Sequence, residues 1–444
     1  MKKIVLIFSL FWILASSFAQ NLNTIRLDSI MQAYTNQNMF SGNILVYQKG
    51  KKVFSKSYGY ADVEKKILNT EQTPFCLASV SKQFTAMAIA ILVEQNKLKL
   101  EDKLTKFIPD YPNGDKITVH QLLTHTSGIH NFTDDKEYDG IKTKEMSLKE
   151  TIEMFKNKPL DFESGSKFSY SNSGYILLSY IIEVASKKSL SDFLKKEIFN
   201  KLGMKNSGYY PKTNQIPKNA AQGYSLNSQD QYEKALFVPR SIPAGAGGLY
   251  TTTEDMLKWH EALNTEKLVK KEMLTKIFTP EKDNYAYGWM IRKQPVSVQM
   301  HTGGIEGFST VIARLPEENS CLIILRNCDN QNLFNPYRIA FNMMINKPYN
   351  LPKIRKPITI SPEKMKEYEG EYSASPDFSI KIFVENGKIM TQATNQEVIE
   401  IFAESEDNFF LKVVDAQIKF EREGNAIKRL ILFQNGAKMP MEKK

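Results

Sequence analysis

Ala78-Ser79-Val80-Ser81-Lys82-Gln83-Phe84 sets a serine and a lysine three positions apart at the mouth of an apolar-periodic segment. Val80, Phe84, Met87, Ile91 and Leu92 recur at helical spacing until Asn96. Positions i and i+3 share one face of a helix, so Lys82 is predicted one turn from Ser79, close enough to take or relay its hydroxyl proton. Unpaired amides of the first turn favour negative charge developing nearby. The pattern is that of an activated serine nucleophile. S-x-x-K is a short pattern, and it recurs twice. Ser164-Gly165-Ser166-Lys167 lies in a Gly/Ser loop, and Ser361-Pro362-Glu363-Lys364 reads as a helix cap followed by proline. Neither has the apolar segment behind it that Ser79 has.

Two further stretches supply what such a nucleophile needs. Tyr170-Ser171-Asn172 precedes an apolar helix pattern at 175–182, and in extended chain Tyr170 and Asn172 fall on one side. A phenol can transfer protons there, and an amide can hold both a lysine and a substrate. Y-x-N also occurs at Tyr34-Thr35-Asn36 and Tyr111-Pro112-Asn113, so this element has meaning only beside the first. The third stretch is His301-Thr302-Gly303-Gly304, between β-prone segments at 285–291 and 310–315, where glycines let a substrate backbone approach closely.

In this order, with Leu122-Leu123-Thr124-His125-Thr126-Ser127-Gly128-Ile129, Ala244-Gly245-Ala246-Gly247-Gly248-Leu249-Tyr250 and Tyr287-Gly288-Trp289, the chain resembles the penicillin-recognising serine hydrolases. The likeness is to the branch holding class C β-lactamases, DD-peptidases, D-aminopeptidases and related esterases, over roughly residues 25 to 345. The resemblance implies an α+β fold, a β-lactamase/transpeptidase-like antiparallel sheet flanked by helices with a helical lobe. It implies Ser79 as nucleophile, Lys82 and Tyr170 sharing the proton transfers, and Asn172 orienting Lys82 and the substrate. The amides of Ser79 and Gly304 would form an oxyanion hole worth roughly 3 to 4 kcal/mol per donor. Thr302 and Gly303 belong to the same substrate-binding strand. Whether Lys82 acts as the base or as the cation that readies Tyr170 stays open at this point.

His301 stands where that family's third motif carries lysine. A largely neutral imidazole gives up most of the attraction for a penicillin or D-Ala carboxylate, although its ring can still donate a hydrogen bond. H-x-G there resembles esterases and D-aminopeptidases, which places ester or peptide hydrolysis ahead of efficient β-lactam hydrolysis. β-Lactamase or DD-carboxypeptidase activity is the alternative within the family. A non-catalytic penicillin-recognising sensor or scaffold is the alternative outside catalysis. The absence of a G-x-S-x-G elbow argues against an α/β-hydrolase. The expected substrate is a small ester, a peptide or a peptidoglycan-like fragment, and no cofactor is expected.

The 444-residue chain exceeds one ordinary domain. Lys2 and Lys3, an apolar run at 4–14 and Ala15-Ser16-Ser17-Phe18-Ala19 read as a secretory signal peptide over 1–19. Export to the periplasm or medium follows, with no membrane-spanning segment after cleavage. The hydrolase domain is expected at 20–346 and a Pro-punctuated linker at 347–360. A β-rich domain is expected at 361–444, a small antiparallel sheet or barrel with hairpin signals at Asn386-Gly387 and Asn435-Gly436. Cys76, Cys321 and Cys328 imply no disulfide framework, and the five histidines match no metal-ligand spacing. Net charge is +10, or +8 once Lys2 and Lys3 are removed, but the basic residues are scattered among acids. Without a clustered stripe or a recognisable module, nucleic-acid binding is excluded. Oligomeric state is not readable.

Overall fold

The structure, a computed structural model, describes residues 24–227, 230–293, 296–329, 334–349, 351, 355, 357–411, 416–434 and 437–444. The signal segment expected at 1–19 lies outside the described residues. The chain divides between Tyr349 and Asn350 into two compact units, inside the expected linker.

The first unit is built on a six-stranded antiparallel sheet drawn from both ends of its sequence. Its strands are β1 Gly42–Gln48, β2 Lys51–Tyr58, β3 Met290–Arg292, β4 Val298–Ile305, β5 Phe308–Leu315 and β6 Ser320–Arg326, in the spatial order β3-β4-β5-β6-β1-β2. β1 and β2 form the predicted hairpin. Lys49 and Gly50 both take positive φ, the two-residue turn whose twist suits adjacent strands. β1 and β6 are apolar almost throughout because both faces of the sheet are covered. Ile44 and Val46 with Leu322 and Ile324 face one core, while Leu45 and Tyr47 with Ile323 and Leu325 face the other. The first core is closed by α1, residues 24–35, through Leu27, Ile30, Met31 and Tyr34. The second receives the large helical lobe. A one-residue slip of β1 would exchange the two sets, so this double burial pins the register.

At the centre of the lobe runs α2, Lys82–Glu94, in which every side chain from Lys82 to Leu92 is buried. Buried polar groups on such a helix are mostly hydrogen-bonded, although among the described residues Gln83 Nε2 has no partner. Gln83 accepts from the Trp259 indole at 3.0 Å, and the Thr85 hydroxyl donates to the Gly245 carbonyl at 2.8 Å. The close approach at Gly245 explains its lack of a side chain: a Cβ would lie 2.4 Å from Thr85 Oγ1 and 2.5 Å from Ser179 Oγ. Ser179 belongs to α3, Asn172–Ser186, the helix predicted beyond the tyrosine-asparagine pair.

One sequence expectation needs correction. Residues 285–289 form a turn around Gly288 at φ 75° rather than the start of a strand, and only Met290–Arg292 joins the sheet. An added Cβ at Gly288 would sit 2.9 Å from Lys82 backbone atoms, so the turn packs on the start of α2 where a strand with side chains could not.

The second unit is a closed barrel of eight antiparallel strands, from Gly370–Ser375 to Ala437–Lys443, preceded by the short helix Pro362–Glu367. Period-two alternation fills its interior with Ile380, Ile382, Ile389, Phe409, Phe420 and Leu430. Asn386 and Gly387 make the predicted turn with φ of 51° and 74°. The turn expected at Asn435-Gly436 lies outside the described residues.

Candidate active site

Ser79 sits in a single 3-10 turn, Ala78–Ser81, that feeds directly into α2. In a 3-10 turn residues i and i+3 eclipse, which brings Ser79 and Lys82 together more directly than the expected α-helical turn. Ala78, just before the serine, has φ of 47°, a left-handed conformation that costs an L-residue about 1–2 kcal/mol. Its neighbours hold it there. The Leu77 amide donates to the Leu249 carbonyl at 2.7 Å, and the Leu77 carbonyl accepts from the Thr310 hydroxyl at 2.7 Å. Ser81 completes the clamp by accepting from the Leu249 amide at 3.1 Å.

Lys82 is fully buried without a carboxylate partner. Burial pushes its amine well below the usual lysine range. Its nitrogen has three polar neighbours: Asn172 Oδ1 at 2.8 Å, the Ala246 carbonyl at 2.8 Å and Ser79 Oγ at 3.2 Å. A neutral amine has two N–H bonds and one lone pair. The two carbonyl-type oxygens can only accept, so they take both N–H groups, and the lone pair is left facing the serine hydroxyl. The arrangement can withdraw the hydroxyl proton.

Tyr170 lies in irregular chain, Ser171 is extended, and Asn172 opens α3, so the pair straddles the helix start rather than sharing one extended segment. Lys82 Nζ is 4.8 Å from the centre of the Tyr170 ring. Burial raises the phenol above its ordinary range, opposed by a hydrogen-bonding interaction with the Ser79 side chain, so Tyr170 stays protonated. Serine, amine and phenol therefore converge. Asn172 is fixed from a loop that the sequence reading did not single out. Its amide nitrogen donates to Thr133 Oγ1 at 3.1 Å, and its backbone N–H donates to Asn131 Oδ1 at 2.9 Å.

The third stretch lies on β4, and Gly303 makes its closest approach to the nucleophile. A Cβ there would stand 2.3 Å from the Leu77 carbonyl and 3.0 Å from the Ser79 nitrogen, whereas one at Gly304 would meet nothing within 4 Å. Gly303→Ala is therefore expected to displace the serine turn, lowering kcat/KM on any turned-over ester by about 100-fold and stability by about 1–3 kcal/mol. Gly304→Ala should melt with the wild type. Equal melting temperatures for all three proteins would contradict this packing.

His301, expected on the substrate-binding strand, has both ring nitrogens within reach of protein partners. The residue is 1 % exposed, and burial first, then the neighbouring Lys82, lowers its imidazole to about 3. Nδ1 is 2.6 Å from the Thr302 carbonyl, so it must carry the proton and donate. Nε2, 3.0 Å from the Tyr285 hydroxyl, then accepts. Both nitrogens are spent, and no N–H remains for a substrate. The turn at 285–289 supplies the Tyr285 partner.

The 122–129 stretch shows no role in the sequence alone. His125 from that stretch is buried, with φ of 56°, and lies 4.3 Å from the Tyr170 ring centre. Its Nδ1 accepts from the Ser171 amide at 3.1 Å, which fixes the backbone between Tyr170 and Asn172. The Ala246 carbonyl that accepts from Lys82 lies in the glycine-rich stretch 244–250, where nothing local marks it. The other two S-x-x-K matches are structural: Ser164 donates to the Ser127 carbonyl at 2.6 Å, and Ser361 caps Pro362–Glu367.

A family model described as Beta-lactamase matches residues 27–347, and one described as Domain of unknown function (DUF3471) matches 354–443. The chain is 28% identical over 437 residues to Penicillin-binding protein 4* of Bacillus subtilis (strain 168), covering 93% of this chain and 96% of that protein. A crystal structure of a penicillin binding protein from Bacillus halodurans is 29% identical, with a TM-score of 0.65 over 72% of this chain and 98% of that one. D-amino acid amidase from Ochrobactrum anthropi SV3 has a TM-score of 0.64 at 23% identity, over 74% of this chain and 99% of that one, a likeness of fold alone.

Proposed function

Because the chain belongs to the β-lactamase family of serine acyl-transferring hydrolases, we propose that it is an exported serine hydrolase that cleaves an ester or an amide bond through an acyl-enzyme on Ser79. The observation that carries this reading is the lone pair of a buried, neutral Lys82 facing the Ser79 hydroxyl. Lys82 takes the hydroxyl proton as Oγ bonds to the substrate carbonyl carbon. The oxyanion is held by the backbone N–H groups of Ser79 and Gly304. The tetrahedral intermediate collapses, the bond to the leaving group breaks, and Tyr170 delivers a proton to that group as the Lys82 proton refills the phenol. Water then attacks the acyl-enzyme by the same relay in reverse, releasing the acid and restoring Ser79. Asn172 holds Lys82 through its oxygen, and its second amide N–H is free for the substrate carbonyl. Thr302 lines the substrate strand.

Ester or D-amino-acid amide hydrolysis is favoured over efficient β-lactam hydrolysis. The third-motif position carries a neutral, fully hydrogen-bonded His301 rather than a cation for a penicillin carboxylate. Export rests on the leader at 1–19, and among the described residues no helix is long and apolar enough to cross a membrane. The test is a steady-state panel on the full mature chain, comparing short-chain p-nitrophenyl esters, D-amino-acid amides and nitrocefin. The expected result is faster kcat/KM for an ester or D-amide than for nitrocefin. Faster nitrocefin turnover would support the β-lactamase alternative. Labelling by a penicillin or fluorophosphonate without turnover of anything would support the sensor.

A further inference from the structure

Tyr170 acts from a stretch of chain that no helix or strand holds. Residues 167–171 are irregular, and α3 begins only at Asn172. A group that transfers a proton in the transition state has to stay within about half an ångström of its productive place. The support for the phenol must therefore come from outside its own segment.

His125 supplies it from both sides. The Ser169 amide donates to the His125 carbonyl at 2.9 Å, and the Ser171 amide donates to His125 Nδ1 at 3.1 Å. These two bonds bracket Tyr170. Between them the imidazole lies against the phenol ring, with centres 4.3 Å apart and planes inclined by 38°. The backbone before Tyr170, the backbone after it and the ring itself all rest on one residue.

His125 holds that place against two penalties. Its φ of 56° is left-handed, a conformation an L-residue adopts only at a cost. Thr126 pins it there: its amide donates to the Gln121 carbonyl at 2.9 Å, and its hydroxyl lies 2.9 Å from Thr124 Oγ1. Accepting at Nδ1 also puts the ring proton on Nε2, which is buried without a hydrogen-bond partner among the described residues. The other tautomer would set an N–H against the Ser171 N–H. Burial keeps the ring uncharged, so the acceptor persists. Strain and an orphaned N–H on one buried residue beside the phenol call for a functional explanation.

We propose that His125 is a positioning residue for the Tyr170 phenol, and that its Nδ1 thereby sets how poor a leaving group the protein can expel. The inference rests on the hydrolase reading, in which Tyr170 protonates the leaving group. A p-nitrophenolate departs with little help, whereas an alkoxide or an amine must gain a proton as its bond breaks. Loss of the acceptor should spare activated esters and penalise unactivated ones.

The experiment measures kcat/KM for p-nitrophenyl butyrate and p-nitrobenzyl butyrate, which share an acyl group, with fluorophosphonate labelling of Ser79 run on each protein. His125→Phe keeps a ring but no acceptor; His125→Asn restores an acceptor near the Nδ1 position and tolerates the left-handed backbone. His125→Phe is expected to lose about 100-fold on the benzyl ester and less than about 10-fold on the phenyl ester. His125→Asn should recover most of the difference. In a Tyr170→Phe background, His125→Phe should no longer change the ratio of the two esters, because its effect travels through the phenol. Misfolding would lower both esters alike and leave the ratio unmoved. A wild-type ratio in labelled His125→Phe, a labelled His125→Asn no better than His125→Phe, or an undiminished ratio change without the phenol overturns the inference. If His125→Phe takes up no label, the ring nitrogen shifts of the wild-type protein decide together with His125→Asn. An Nε2–H tautomer and a wild-type ratio in His125→Asn support the inference, and an Nδ1–H tautomer overturns it. A wild type that takes up no label at Ser79 overturns the hydrolase reading instead.

Discussion

Replacing Ser79 by Ala is expected to abolish covalent labelling and to lower ester or amide turnover by about 10⁴-fold or more, the scale seen when a serine enzyme loses its nucleophile. The expectation is sharp because the rest of the site does not need the hydroxyl. Lys82 keeps both of its carbonyl acceptors, Asn172 Oδ1 and the Ala246 oxygen. The turn keeps Ser81 and Leu77 clamped to Leu249. Ser79 is only partly buried, so the truncation leaves no large cavity. Thermal unfolding should therefore agree with the wild type to within about 1 kcal/mol. Residual turnover above a hundredth of wild type in a clean Ser79→Ala preparation would place the nucleophile elsewhere.

Lys82→Met is expected to lower turnover by about 10³-fold, within the range general-base removal produces, while Ser79 still labels slowly. The pH dependence should change as well. Burial holds Lys82 below its unfolded value, so the wild-type rate should rise with pH as the folded amine loses its proton, well below the ordinary lysine range. Lys82→Met should lack that rise. The same group has a linked effect on stability. Between the lowered folded pKa and the unfolded value, the unfolded chain binds one more proton than the folded chain. Stability consequently increases with pH across that window, because the cost of an uncharged buried lysine shrinks as the unfolded lysine also deprotonates. Denaturant midpoints measured across neutral to alkaline pH should show that slope in the wild type and a flatter one in Lys82→Met. Identical pH–rate profiles for the two proteins would remove Lys82 from the proton transfer.

What could be read from the chain divides along the range of the interactions involved. Ser79 and Lys82 are legible because an i, i+3 relation is local and nearly the same in a 3-10 turn as in an α-helix. Tyr170 and Asn172 were found by pattern, although the reason Asn172 is rigid lies in Asn131 and Thr133, some forty residues earlier. The neutrality of His301 could be anticipated from imidazole chemistry. Its hydrogen bond with Tyr285 could not, since that depends on a segment that has strand-like composition but turns at Gly288. The double-sided burial of β1 and β6 appears in the sequence as unbroken apolar runs, whereas closure of the second unit into eight strands depends on the pairing of Gly370–Ser375 with Ala437–Lys443, which no hairpin signal specifies.

Activation of Ser79 by an uncharged Lys82 is read in the rate of acylation. Full-length mature protein would be mixed with a fluorophosphonate at a series of pH values from 5 to 9, adduct formation followed by intact mass, and the labelled peptide mapped. One adduct per chain is expected on the peptide containing Ser79, forming faster with rising pH along a single deprotonation well below the ordinary lysine range. An adduct on another residue, or a rate on Ser79 that does not change with pH, would contradict it.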